Sequence, residues 1–441
     1  MTRVFFVLFA VLLVSTAAEA KTPYYQQGIF GGRQELDGYV NVRNPVELYN
    51  TARIAEAGVS VANRPRPEYD PLGFRLGSFQ FYPSVELGGT FDSNVFAENN
   101  TNAMDVLWQI RPAVSLFSNW SRHAISFAAQ GDIGMYTDRS TEDFSDGVML
   151  MRGRYDVQRG TFMTYGGDFQ RLTEQRTSPN SALSAEAATY NTMGFFGRAN
   201  HRQGMFDFET QLDLKRYDYD GIRNNAGVRT SQDFRDRNQY RVLGEVGYEL
   251  QRFWRPFIRA NYNWRNYDNF GTRDSSGYDI VGGTGFEFSG GIITGEVFLG
   301  HMNQTYKNFL RGKESAGAHF GGSVLWNITG VTSLEAEVDR SIEETTLAGY
   351  HAAMATGGAL TLTRELRRNL LLEANMDVTR NDFEGGPDRV DDNYRMGVGT
   401  RYFFNRNFYS DFEYNFAWRQ SDVQTAEFDR HLISLRVGSQ Y

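Results

Sequence analysis

From Phe79 to the C-terminus the chain repeats segments of about ten residues in which every second position is apolar, aromatic or glycine and the positions between are polar or charged. Tyr240, Val242, Gly244, Val246 and Tyr248 alternate with Arg241, Leu243, Glu245, Gly247 and Glu249. Ile258, Ala260, Tyr262 and Trp264 alternate with Arg259, Asn261, Asn263 and Arg265, and Phe412, Tyr414, Phe416 and Trp418 with Glu413, Asn415 and Ala417. In an extended strand the two sets point to opposite faces, so each segment predicts a strand with one apolar and one polar side.

A soluble sandwich would show the same alternation, and the connections separate the two cases. Short links fall near Asn119, Arg159, Gln203, Arg252, Gly290, Thr329, Arg367 and Arg406. Between them lie longer polar links near residues 92–103, 138–146, 172–187, 218–235, 268–276, 305–315, 343–350, 382–391 and 420–427. Strict alternation of short and long links is the pattern of a transmembrane β-barrel, with tight turns on the periplasmic side and longer loops outside. Nine long and eight short links imply eighteen strands, with sixteen to eighteen as the range. The fold class is therefore all-β: a closed antiparallel transmembrane barrel, the form in which strands can satisfy their backbone groups in lipid. Aromatic residues cluster at strand ends, as in Phe253 with Trp254 and Phe408 with Tyr409, where interfacial girdles belong. Prolines are few, and those of the barrel are expected mostly at strand edges or in loops. The last strand runs Ile433, Leu435, Val437, Ser439, Tyr441, and Leu435, Val437 and Tyr441 are read as an insertion signal for the barrel assembly machinery.

The first 77 residues differ in kind. Residues 1–20, MTRVFFVLFAVLLVSTAAEA, combine one basic residue, an apolar core and small residues at Ala18 and Ala20, which reads as a secretory signal peptide. Residues 21–77 are expected to form a periplasmic segment or a plug. Asn44 and Pro45 suit the start of a short helix and Gly58 its end, and the proline spacing of RPRPEYDPLG, from Arg64 to Gly73, favours an extended chain. The barrel then occupies residues 78–441.

Composition narrows the function. The chain has no cysteine, which excludes a disulfide scaffold and thiol catalysis, and no cofactor is called for. Its formal charge is −8, opposite to the excess expected of a nucleic-acid binder. The stretches RPRPEYDPLGFRLGSFQFYPSVELGGTFDSNVF, residues 64–96, and IRPAVSLFSNWSRHAISF, residues 110–127, resemble the outer-membrane beta-barrel porin family of the second type. The resemblance implies a barrel in the cell outer membrane of a Gram-negative bacterium, and some relatives accompany exopolysaccharide production and export. The family has no catalytic motif to carry over.

Candidate chemistry lies on the polar face. Asp207, Glu209 and Asp213 line one strand, Glu245 and Glu249 the next, and Arg259 and Arg265 the one after. Further round come Glu335, Glu337 and Asp339, then Glu373 and Asp377, Arg395 and Arg401, Glu413, and Arg436. Acidic and basic stripes facing a water-filled lumen would orient polar solutes, or would pair across strands and brace the wall. The acidic run at Asp382, Glu384, Asp388, Asp391 and Asp392 lacks a calcium-loop spacing and is read as a solvated loop, so no metal site is assigned. No nucleophile motif accompanies the six histidines, so no catalytic residue is assigned and the chain is read as no enzyme. These features favour a porin-like passive conduit for hydrophilic solutes or exopolysaccharide. A structural or adhesion-related closed barrel is the alternative, and an outer-membrane enzyme the third reading. The expected partners are outer-membrane lipid and lipopolysaccharide, the assembly machinery, and a polysaccharide or a periplasmic export partner.

Overall fold

The computed structural model describes residues 59–99, 103–181, 186–224, 226–250, 253–268, 273–307 and 313–441. Eighteen antiparallel strands form a wall. In chain order these are β1 (Phe79–Asp92), β2 (Asp105–Ser118), β3 (Ala124–Tyr136), β4 (Phe144–Gln158), β5 (Thr161–Thr173) and β6 (Thr189–Gln203). Next come β7 (Phe206–Tyr219), β8 (Arg237–Tyr248), β9 (Trp254–Tyr267), β10 (Ser275–Phe288), β11 (Ile293–Tyr306) and β12 (Glu314–Thr329). The last six are β13 (Thr332–Glu343), β14 (Ala352–Arg367), β15 (Leu370–Glu384), β16 (Arg389–Phe403), β17 (Phe408–Ser421) and β18 (Phe428–Gln440). Each strand pairs with its neighbours in sequence, and β18 returns to β1 with Ser84 opposite Gln440 and Asp92 opposite Leu432. The sheet has no open edge along these strands, which is what allows it to stand in lipid.

The period of two sorts the side chains. Leu87, Ile258, Leu299, Leu435 and Val437 lie on the outer face, with Ile258 at 67% and Leu299 at 64% exposure, the band that lipid would cover. On the inner face the registers carry one polar set from strand to strand: Asp213 stands opposite Arg241, and Glu245 opposite both Glu209 and Arg259. One apolar group on the inside is formed by Val148, Leu172, Tyr190 and Tyr217.

Eight short links join the strands at one end and nine links at the other, with both ends of the barrel sequence on the short side. Two of the four two-residue turns, between β4 and β5 and between β6 and β7, are built on Gly160 and Gly204 at positive φ (79° and 63°), a backbone a larger residue would strain. Two expectations need correction. The polar link expected over 382–391 shrinks to residues 385–388, because β15 and β16 stay paired out to Phe383 and Arg389. Pro83, Pro112 and Pro256 lie within strands rather than at their edges. At Pro112, which has no N–H to donate, the bridge pairs between β2 and β3 are interrupted, passing from Ile110–Ile133 to Ala113–Gln130.

The signal sequence of residues 1–20 and the helix expected from Asn44 to Gly58 lie outside the described residues. Residues 59–77 fasten to the short-link rim. The Val61 amide donates to the Ser333 hydroxyl of β13 at 2.9 Å, and Arg66 pairs with Glu365 of β14 at 3.3 Å. Further along, Arg406 donates to the Pro67 carbonyl and Gln440 to the Tyr69 carbonyl, both at 3.1 Å. The short strand Phe74–Leu76 then pairs with the start of β1. Ser333 is fully buried on the inner face, so the described chain begins inside the wall.

If the short turns face the periplasm, a protease added to intact cells will cut a tag inserted at Ala226, in the link between β7 and β8, and spare one inserted at Gly160. The reverse pattern would invert the topology.

Candidate functional site: the inner wall and the long-link mouth

Strand register decides what the inner charges can reach. Directly opposed residues on one face stand about 4.5–5.5 Å apart at Cβ, close enough for an arginine to bridge one or two strands. Arg259 of β9 does this in both directions, to Glu245 of β8 at 2.7 Å and to Glu296 of β11 at 2.8 Å. Arg255 binds Glu245 at 2.6 Å and Asp207 at 3.3 Å, and Asp207 is shared with Arg202, which also reaches Glu249 at 3.1 Å. Arg241 holds Asp213 at 3.0 Å, and Arg198 stands 3.5 Å from Glu209. On the other side of the ring Arg395 holds Asp377 at 2.9 Å, Arg401 holds Asp411 at 2.7 Å and Arg436 holds Glu413 at 2.8 Å.

Fifteen of the sixteen charged residues singled out on the polar face share the inner side by register, and Glu249 follows one residue past the end of β8, where it meets Arg202. Glu335, Glu337 and Asp339 stand opposite Thr361, Ala359 and Gly357 of β14, and Glu373 opposite Gly399 of β16. Arg265 is the exception in what it contacts: it reaches across the mouth to Glu344, beyond the end of β13. Of the residues read as an insertion signal, Leu435 and Val437 face outward, and Tyr441 stacks on Phe74 with centroids 4.0 Å apart. The acidic residues 382–392 fall mostly on β15 and β16, where Arg389 holds Asp391 at 2.7 Å and Arg380 holds Asp382 at 3.1 Å.

Sequence reasoning missed the partners Arg198, Arg202, Arg255 and Glu296, and gave Arg241, which it set in the polar alternation, no partner. The missed residues sit on the inner parity and could have been found by extending the alternation. It also missed two loops that fold inward at the long-link mouth. In the first, between β5 and β6, Glu174 makes a two-pronged bond to Arg235 at 2.7 and 3.0 Å, and Arg176 binds Glu142 at 2.5 Å. Arg419 of β17 donates to the Thr177 carbonyl from farther round the ring. In the second, between β13 and β14, Glu344 accepts from Arg265 and, at 2.7 Å, from the Tyr267 hydroxyl, both of β9. The loops meet where the Asn180 side-chain carbonyl accepts from Thr345 Oγ1 at 3.1 Å and the Thr346 amide at 2.9 Å. Burial works against the charge of Arg235, at the foot of this contact, but Glu174 and the Tyr219 ring more than offset it, and the guanidinium's pKa is raised.

A closed polar-lined barrel of eighteen strands defines the class, an outer-membrane porin-like barrel. Residues 66–441 match the profile of the family described as "Putative beta-barrel porin 2", and the chain belongs to that family. Comparison with curated proteins finds no match. Among solved structures the chain is similar to Pseudomonas aeruginosa OpdK, crystallised with vanillate, at 10% identity over 82% of this chain and 99% of that one, TM-score 0.43. It is similar to OccK8 (OprE) of the same organism at 11% identity over 84% and 99%, TM-score 0.44. Acinetobacter baumannii OccAB3 aligns at 10% identity over 83% and 100%, TM-score 0.45.

Proposed function

We propose that the protein is a passive conduit for hydrophilic solutes or exopolysaccharide in the outer membrane of a Gram-negative bacterium, and not an enzyme. The observation that carries this reading is the continuous polar face running round the inside of a closed eighteen-strand wall, beside an outer face of exposed apolar residues. A barrel of this size is wide enough to hold water, whereas eight strands are filled by their own side chains. The inner ion pairs serve two ends at once. They brace the wall, and their outer edges present charge to water and solute. Lipopolysaccharide and lipid meet the outer face, and the assembly machinery reads Leu435, Val437 and Tyr441.

A second reading, a structural barrel with a closed pore, draws on the inward loops and on residues 59–61, which enter at the short-link rim. Liposome swelling separates the two. Vesicles containing the purified protein should swell in neutral sugars at rates that fall as sugar size rises. Vesicles that hold folded protein and swell no faster than empty ones would favour the closed barrel.

A further inference from the structure

A cavity of about 50 Å³ opens at the long-link mouth, between the two inward loops and the ends of β7, β8 and β9. Three guanidiniums line it, those of Arg235, Arg237 and Arg273, against a single lining carboxylate, Glu344. The carboxylates at hand are already engaged, Glu344 by Arg265 and Tyr267 and Glu174 by Arg235. The undescribed stretches of the flanking loops, residues 182–185 and 269–272, contain no acidic residue.

Arg237 is the unusual member. Most inner-wall arginines named above bridge to an acid, but Arg237, only 8% exposed, forms no ion pair among the described residues. Its guanidinium lies 4.0 Å over the Tyr217 ring and 5.7 Å from that of Tyr267, and Nη1 donates to the Arg235 carbonyl at 3.1 Å. Its Nε, like that of Arg235, is buried with no acceptor. Arg273 uses one nitrogen on the Thr345 carbonyl and has no acid partner among the described residues. Burying the Arg237 guanidinium is costly when the carboxylate that acts on it, Glu344, is already held by Arg265 and Tyr267, and two buried N–H donors without acceptors add to that cost. An anion with paired oxygens would answer both, since guanidiniums bind carboxylates through parallel N–H donors.

We propose that this cavity is a binding subsite for a carboxylate-bearing small solute, with Arg237 and Arg273 as its anchors and Tyr217 and Tyr267 holding Arg237 in place. For its place on a transport route the inference rests on the conduit reading, whereas binding itself can be measured without any conduction.

The test uses the full mature chain, folded in detergent micelles, with glucuronate as probe and glucose as its uncharged counterpart. Titration calorimetry should show saturable glucuronate binding and none for glucose. Arg237→Gln and Arg273→Gln should each weaken that binding at least tenfold while keeping the heat-modifiable mobility of the folded barrel. No saturable binding to the unaltered chain, or equal binding by both folded variants, would overturn the subsite. In bilayers, glucuronate should also block ion current through the unaltered protein more than through Arg237→Gln. A silent bilayer combined with normal binding in micelles would overturn the conduit and leave the subsite standing.

Discussion

Replacing Leu299 by arginine is expected to cost about 2–4 kcal/mol of folded stability, because a charge is placed on the lipid face near mid-membrane depth. Leu299 is the seventh residue of the fourteen-residue strand β11, it is 64% exposed, and it stands opposite Phe320 and Gly282. Its neighbours offer no counter-charge, and the side chain can reach water only by extending past several turns of strand or by thinning the bilayer. Thr361→Arg, on the inner face of β14 opposite Glu335 and Asn375, introduces the same group where a carboxylate and polar surroundings receive it. Unfolding in urea from lipid vesicles, followed by tryptophan fluorescence, should therefore separate the two variants by at least about 2 kcal/mol. Equal losses would mean that the inner and outer faces are wrongly assigned.

Removing Arg259 is expected to be as damaging from the other side of the wall. Its guanidinium is 7% exposed as a residue and lies between Glu245 and Glu296, themselves 6% and 8% exposed. Arg259→Met keeps much of the packing against Phe257, whose ring lies 4.6 Å from the guanidinium, but leaves Glu296 without its cation. Breaking a buried pair by deleting one partner costs about 3–5 kcal/mol, since the survivor stays desolvated and unpaired. Glu245 retains Arg255 and suffers less. The double variant Arg259→Met with Glu296→Gln should recover more than half of the loss in the same urea experiment. An undiminished loss in the double variant would show that the ion pair is not its source.

These two cases also mark what the chain displays in its linear order. The alternation of Ile258, Ala260 and Tyr262 with Arg259 and Asn261, which recurs along the barrel segments, is a local property, and so the strands, their faces and their number could be read directly. The pairing of Arg259 with Glu296 could not, because it depends on the stagger between β9, β10 and β11 and on how far a guanidinium reaches across them. Loop paths were still less accessible. Arg265 lies on the inner face by register, yet its partner Glu344 comes from a loop four strands farther round, through a contact made only because that loop folds inward. The segment 382–391 looked like a loop because it is polar, whereas β15 and β16 continue their ladder there, where water rather than lipid sets which side chains are tolerated. Arg237 carried no signal at all, since its distinction lies in the acid partner it lacks among the described residues.

Conduction through the barrel is the central expectation. Purified full-length protein in a planar lipid bilayer should produce discrete current steps in potassium chloride, and a chain lacking residues 21–58, which retains the rim contacts of Val61, Arg66 and Tyr69, should give steps of equal or larger size. Folded protein that inserts in both forms and carries no current would contradict it.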